Sequence, residues 1–111
     1  MDKETENKIQ ELQLLEQNLQ NLMLQKQNFQ GKLLETEHAL NELKDLKGES
    51  YKIIGTIMVL KDNKELKEEL DSEKDVLNLR IKNIEKQEDK IKEKMEELQK
   101  EVMKKLEKDD K

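Results

Sequence analysis

Apolar side chains recur along most of this chain at alternating spacings of three and four residues. The first such segment, residues 3–47, is called the first arm, and its repeat keeps one heptad register. Apolar residues sustained at the a and d positions, here called the seam, are typical of a coiled-coil helix. We expect this helix to end near Lys47–Gly48, because glycine is a common stop signal. The seam residues are Leu12, Leu15, Leu19, Leu22, Lys26, Phe29, Leu33, Thr36, Leu40 and Leu43.

A second heptad segment, residues 62–108, forms the second arm. Asp62 and Glu65 resemble a capping box at its start, and Asn63 is the alternative cap. The absence of proline leaves both arms free to form uninterrupted helices. The seam residues here are Leu70, Lys74, Leu77, Ile81, Ile84, Glu88, Ile91, Met95, Leu98, Val102 and Lys105.

Between the arms, residues 48–63 break the helical pattern. Tyr51–Ile54 and Ile57–Leu60 are rich in β-branched side chains, and Gly55-Thr56 suits a two-residue type II′ turn. Both faces of such a hairpin are largely apolar, whereas an isolated two-stranded hairpin is marginal in water. The pattern therefore predicts that hairpins from several chains join into one sheet or barrel. The alternative is a hydrophobic turn that folds back onto its own arms.

The short connection favours antiparallel packing of the two arms. Counting outward from the hairpin places Lys26 opposite Glu88, two polar side chains within the apolar seam. A buried polar pair costs stability but can fix the register of a coiled coil. In the alternative interpretation, either side chain reaches out to solvent.

The same counting brings Ile9, Leu12 and Leu15 near Val102 and Met103 at the free end of the helical hairpin. Helix ends fray and have few neighbours, so this tip could present an adaptable apolar patch to partner proteins. Ordinary seam packing that continues to the end explains the same residues equally well.

Composition narrows the classes of function. Charged residues make up 44% of the chain, aromatic residues 2%, and the net charge is −5. The mixed-sign surface shows no basic stripe, which disfavours a nucleic-acid-binding arm. The sequence lacks cysteine, a metal-ligand cluster, a phosphate-binding loop and an apolar run of membrane-spanning length. His38 falls on the outer face of the first arm. We therefore expect no enzyme activity, no metal and no cofactor.

The middle segment Tyr51–Val59, flanked by heptad arms, resembles that of prefoldin subunits of the β type, especially archaeal ones. Further similar segments are Gln25–Gln27, Leu77–Arg80 and Lys86–Glu88. The resemblance covers nearly the whole chain, and room for one hairpin fits the β type, whereas the α type carries two. It implies a single prefoldin-like domain over residues 1–111.

The resemblance implies a mainly α fold in which an antiparallel two-helix coiled coil carries one β-hairpin that assembles into an intermolecular β-barrel. It also implies a cytoplasmic hexamer of two α-type and four β-type subunits. Such complexes hold non-native proteins without ATP and deliver them to a group II chaperonin, which Lys104, Lys105 and Lys108 could contact here. The competing hypothesis is a structural coiled-coil spacer that oligomerises through the hairpin. By position, the assembly residues would be Tyr51, Ile53, Ile54, Gly55, Ile57, Met58, Val59 and Leu60, and the client-binding residues Ile9, Leu12, Leu14, Leu15, Val102, Met103 and Leu106.

Overall fold

The computed structural model describes residues 2–109 and contains two long helices joined by a two-stranded antiparallel hairpin. The elements are α1 (Lys3–Leu43), β1 (Glu49–Ile54), β2 (Ile57–Asp62) and α2 (Asn63–Asp109). This confirms the mainly α fold class with one hairpin between two helical arms. The predicted domain also includes residues 1, 110 and 111, which lie outside the described residues.

α1 begins at a conventional cap and ends about one turn before the predicted position. Asp2 Oδ1 accepts a 2.8 Å hydrogen bond from the Thr5 backbone amide, which satisfies a donor of the first turn. At the other end, the Lys44 amide donates to the Asn41 carbonyl and the Leu46 amide to the Leu43 carbonyl. These i to i+3 bonds replace the α-helical pattern, so the helix ends at Leu43, well before the glycine taken as its stop signal.

The hairpin extends beyond the predicted strands at its open end. Its register pairs Glu49 with Asp62 and Ile54 with Ile57. Gly55 has a φ of 61°, and no described residue other than a glycine has a positive φ, which fits the predicted type II′ turn. The base is closed by the Asn63 amide, which donates to the Gly48 carbonyl at 2.8 Å. β2 therefore runs directly into α2 without an intervening loop.

The start of α2 shows which of the two candidate residues, Asp62 or Asn63, occupies the N-cap position. Because α2 begins at Asn63, Asp62 occupies the N-cap position. The side-chain oxygen of Asn63 is buried and accepts no hydrogen bond from the described residues. Asn63 therefore contributes its backbone amide to the hairpin base and does not act as the cap.

The described residues form two compact units. The hairpin unit is Asn28–Ile81, and the terminal unit consists of the chain up to Gln27 together with the chain from Lys82. In the hairpin unit Leu43, Leu66 and Ile81 are buried, and in the terminal unit Ile84, Leu98 and Val102 are buried. Each unit thus has a narrow apolar seam between antiparallel helical segments, and most other side chains face outward.

Candidate assembly and client-binding surfaces

The hairpin presents one uncovered apolar face. Paired residues of an antiparallel ladder lie on the same face, and faces alternate along each strand. The outer face is defined by Glu49, Tyr51, Ile53, Met58, Leu60 and Asp62. Its four apolar side chains are all more than half exposed, and Ile53 is the most exposed of them at 69%. A contiguous apolar patch of this kind on a small chain is typical of a protein interaction site.

The inner face is partly covered by the chain itself. It consists of Ser50, Lys52, Ile54, Ile57, Val59 and Lys61. Lys52, Val59 and Lys61 are half-buried, whereas Ile54 and Ile57 beside the turn remain exposed. The lysine-bearing end of the hairpin therefore contacts the rest of the hairpin unit. The turn and the outer face of the hairpin remain uncovered.

Both inner-face lysines meet one carboxylate of α2. Lys52 Nζ lies 3.2 Å from Glu69 Oε2, and Lys61 Nζ donates a hydrogen bond to Glu69 Oε1. The hydrogen bonds from Lys61 and Lys52 lower the pKa of the Glu69 carboxyl below its usual range. The same contact raises the pKa of Lys61. The sequence alone does not reveal this cluster, because spacing does not show which of many glutamates a strand lysine reaches.

A groove of about 950 Å³ lies in the hairpin unit beside this cluster. Phe29 and Leu77 contribute apolar surface to it, and Glu68 is one of several acidic residues along it. The Arg80 guanidinium lies 5.6 Å from the centre of the Phe29 ring, a cation–π contact between α1 and α2.

The predicted client-binding residues, all in the terminal unit, differ in how exposed they are. Val102 is buried in the seam, and Ile9, Leu12, Leu15 and Leu106 are half-buried. Leu14 and Met103 are exposed by 57% and 59%. Seam packing thus continues as far as Val102, and apolar surface remains available at Leu14 and Met103.

Ion pairs join the helices of the terminal unit near these residues. Lys8 Nζ lies 3.2 Å from a Glu101 carboxylate oxygen, and Lys105 Nζ lies 3.1 Å from an Asp2 oxygen. The hydrogen bond to Glu101 raises the pKa of Lys8. Hydrogen bonds from Thr5 and then Lys105 lower the pKa of the Asp2 carboxyl far below its usual range. Of the three lysines considered for chaperonin contact, Lys105 is therefore engaged within the chain.

The cap at Asp2 leads to a first prediction. Asp2→Ala should increase amide exchange at Thr5 about fivefold, because the Thr5 amide loses its side-chain acceptor. Glu6→Ala, which removes another carboxylate of the same turn, is the matched control and should leave Thr5 nearly unchanged. Because the folded-state pKa of Asp2 is lowered, its contribution is present above the ordinary aspartate range and is lost as pH falls through the lowered value. Equal exchange in both variants, measured by NMR, would contradict the capping role.

Lys26 and Glu88 lie within the terminal unit and contact each other directly. Lys26 Nζ donates a 2.8 Å hydrogen bond to Glu88 Oε1. Glu88 is only 3% exposed, and the bond to it raises the pKa of Lys26. The two side chains therefore face each other across the seam, as the counting from the hairpin placed them, and Lys26 does not point away from its partner.

Features of other functional classes are not found in the described part of the chain. Among residues 2–109, no group of three or more His, Cys, Asp or Glu side chains is arranged to hold a metal ion. Over the same range, no helix combines the length and apolar character needed to cross a membrane. His38 is exposed on α1.

Comparison with known proteins agrees with this geometry. The prefoldin subunit family profile matches residues 6–109. A relative in Archaeoglobus fulgidus, prefoldin subunit beta, is 32% identical over 91 residues, which cover 80% of this chain and 78% of the relative. The crystal structure of the prefoldin beta subunit from Thermococcus strain KS-1 is similar with a TM-score of 0.86 and 30% identity, over 95% of this chain and 94% of that one. The chain belongs to the prefoldin subunit family, as a subunit of the beta type.

Proposed function

We propose that this chain is a subunit of an ATP-independent holdase. It assembles with α-type subunits and further β copies into a hexamer of two α and four β chains through the hairpin. The complex binds non-native proteins through the terminal unit and delivers them to a group II chaperonin in the cytoplasm. No enzymatic step is part of this role. The observation that carries the proposal is the similarity to a prefoldin beta subunit structure over 95% of the chain.

Exposure of the hairpin supports its role in assembly. The outer face carries apolar side chains on both strands, and Ile54 and Ile57 extend the apolar surface to the turn. Two short strands leave unpaired backbone groups along both edges. Pairing hairpins from several subunits into a closed barrel buries the apolar surface and removes the edges together. The proposed assembly residues remain Tyr51, Ile53, Ile54, Gly55, Ile57, Met58, Val59 and Leu60.

Exposed apolar side chains in the terminal unit support client binding. Leu14 lies on α1 and Met103 on α2, so both helices contribute. The unbranched thioether of Met103 adapts to apolar surfaces of many shapes, which suits clients without a fixed structure. The half-buried Ile9, Leu12, Leu15 and Leu106 add to this surface where the helix ends open. Val102 contributes by supporting the seam beneath it.

The ion pairs of the terminal unit favour a second candidate, a structural spacer that oligomerises through the hairpin. Asp2 with Lys105 and Lys8 with Glu101 join the two helices near their ends, as a passive coiled coil would require. One assay distinguishes the holdase from the structural spacer. The chain, co-assembled with its α-type partner, is added in excess to an unfolding client without nucleotide, and light scattering is followed. Slower aggregation supports the holdase, and unchanged aggregation supports the spacer.

The client-binding surface leads to a second prediction. In the assembled complex, Leu14→Ser with Met103→Ser should reduce protection of the client several-fold, because the most exposed apolar side chains of the proposed surface are lost. Leu24→Ser with Met23→Ser is the matched control. Leu24 is exposed by 59%, slightly more than Leu14, but lies about 15 Å further along α1.

Light scattering measures protection, and native mass spectrometry verifies that both variants still assemble. Loss of protection in the Leu14 and Met103 variant alone supports a site near the helix ends. Equal protection by the two variants would contradict it.

A further inference from the structure

A single carboxylate of α2 joins both strands of the hairpin. Each carboxylate oxygen of Glu69 contacts a different lysine. Oε2 contacts Nζ of Lys52 on β1, and Oε1 contacts Nζ of Lys61 on β2. Both lysines belong to the inner face of the sheet. The contact therefore fixes the sheet to α2 at two points, one on each strand.

The inner-face lysines require such a partner. Lys52 and Lys61 are half-buried, with 30% and 22% of their side chains exposed. A partly buried ammonium group loses favourable hydration, and an opposed carboxylate offsets that loss. Glu69 is itself partly shielded, with its side chain 32% exposed, so both charges of each pair lie partly out of water.

Little else determines the orientation of the hairpin. A two-stranded sheet is marginally stable by itself. Within the described residues, its base is held by the continuous chain from β2 into α2 and by the hydrogen bond from the Asn63 amide to the Gly48 carbonyl. Near the turn, Ile54 and Ile57 of the inner face are exposed and give no support. The angle between the sheet and α2 therefore depends on the half-buried inner-face side chains between the base and the turn, and two of these, Lys52 and Lys61, contact Glu69.

We propose that Glu69 is the positioning residue of the assembly surface. Glu69 holds β1 and β2 against α2, so that the outer face is already oriented when it meets a neighbouring subunit. The inference rests on the proposed assembly through the hairpin. An interface that is ordered before contact loses less conformational entropy when it forms, which favours association. Glu69 itself lies on the inner side of the sheet and acts through Lys52 and Lys61.

Glu69→Gln tests the inference, with Glu68→Gln as its control. Glu68 lines the same groove, is exposed, and forms no ion pair within the described part of the chain. In the full chain at high dilution, Glu69→Gln should raise amide exchange across β1 and β2 about tenfold, as expected for the loss of two partly shielded ion pairs. The chain concentration at half-assembly with the α-type partner should rise by a similar factor. Analytical ultracentrifugation across a dilution series measures this half-assembly concentration.

A merely structural role would instead lower the thermal melting of the helices, which Glu69→Gln should leave near wild type. Lys52→Met and Lys61→Met should each loosen the hairpin in the wild-type background and change little further in the Glu69→Gln background.

The outcomes distinguish this inference from the proposed function. The inference is overturned if Glu69→Gln leaves both the amide exchange of the hairpin and the half-assembly concentration at wild-type values. The hairpin interface itself is still supported in that case if Ile53→Asp abolishes assembly. If Ile53→Asp assembles normally, the proposed interface fails, and the positioning role for assembly fails with it. Faster exchange together with weaker assembly in Glu69→Gln, with Glu68→Gln unchanged, supports the inference.

Discussion

Ile53→Asp should prevent this chain from joining a complex while leaving its helices folded. Ile53 lies at the turn end of the outer face and pairs across the hairpin with Met58. It is exposed in the single chain, so aspartate at this position is hydrated and costs the isolated subunit little. In the proposed assembly, neighbouring subunits cover the outer face, and the same carboxylate is then buried without a partner.

The expected effect is large because burial of an unpaired charge costs several kcal/mol. At about 3 kcal/mol, the association constant of each affected interface falls more than a hundredfold. A complex with several β copies repeats this penalty at every hairpin. Analytical ultracentrifugation of the variant, mixed with its α-type partner, should therefore show separate subunits at concentrations where the wild type is assembled.

Leu79→Asp provides the control for Ile53→Asp. Leu79 is exposed by 60% on α2 and belongs to none of the proposed surfaces. Its replacement introduces the same charge in place of another apolar side chain that is more than half exposed, but outside the hairpin. Normal sedimentation of the Ile53→Asp complex, or equal dissociation of both variants, would contradict assembly through the outer face. Circular dichroism verifies that both chains retain their helices.

Local sequence signals were sufficient to predict the hairpin. The cluster of β-branched residues on both sides of Gly55-Thr56 predicted two strands and the turn between them, and the structure confirms both. Because side chains alternate in a strand, the membership of each face followed from the same local pattern. The polar ends of the strands, Glu49 and Asp62, carried no such signal, so the full length of the ladder was not predicted.

Features that depend on distant partners were harder to predict. Lys52 and Lys61 could each have reached several glutamates of α2, and only the folded geometry selects Glu69. The end of α1 at Leu43 likewise depends on how the chain turns to reach the hairpin base. Leu14 and Met103 were placed at the free end by the sequence, but only the folded chain shows that these two are exposed while the other candidates there are buried or half-buried.

Lys26→Leu should destabilise the terminal unit, because it leaves Glu88 buried without its partner. Glu88 is 3% exposed and accepts the hydrogen bond from Lys26. A buried carboxylate that loses its only cation strongly disfavours the folded state. We expect Tm to fall by at least about 5 °C, measured by circular dichroism of the assembled complex. Lys32→Leu, at an exposed position on α1, is the control for loss of a lysine and should leave Tm nearly unchanged.

The double variant Lys26→Leu with Glu88→Leu should behave in the opposite way. Two leucines continue the apolar seam without desolvated charge, so Tm should rise above wild type. The register between α1 and α2 in the terminal unit then loses the ion pair between Lys26 and Glu88. Spin labels on cysteines introduced at Asn18 and Glu96 give clean distances, because the chain has no native cysteine. A broader distance distribution in the double variant, together with the higher Tm, indicates that the Lys26–Glu88 pair fixes the register but lowers the stability of the wild-type chain. An unchanged Tm and a single unchanged distance would show that apolar packing alone sets the register.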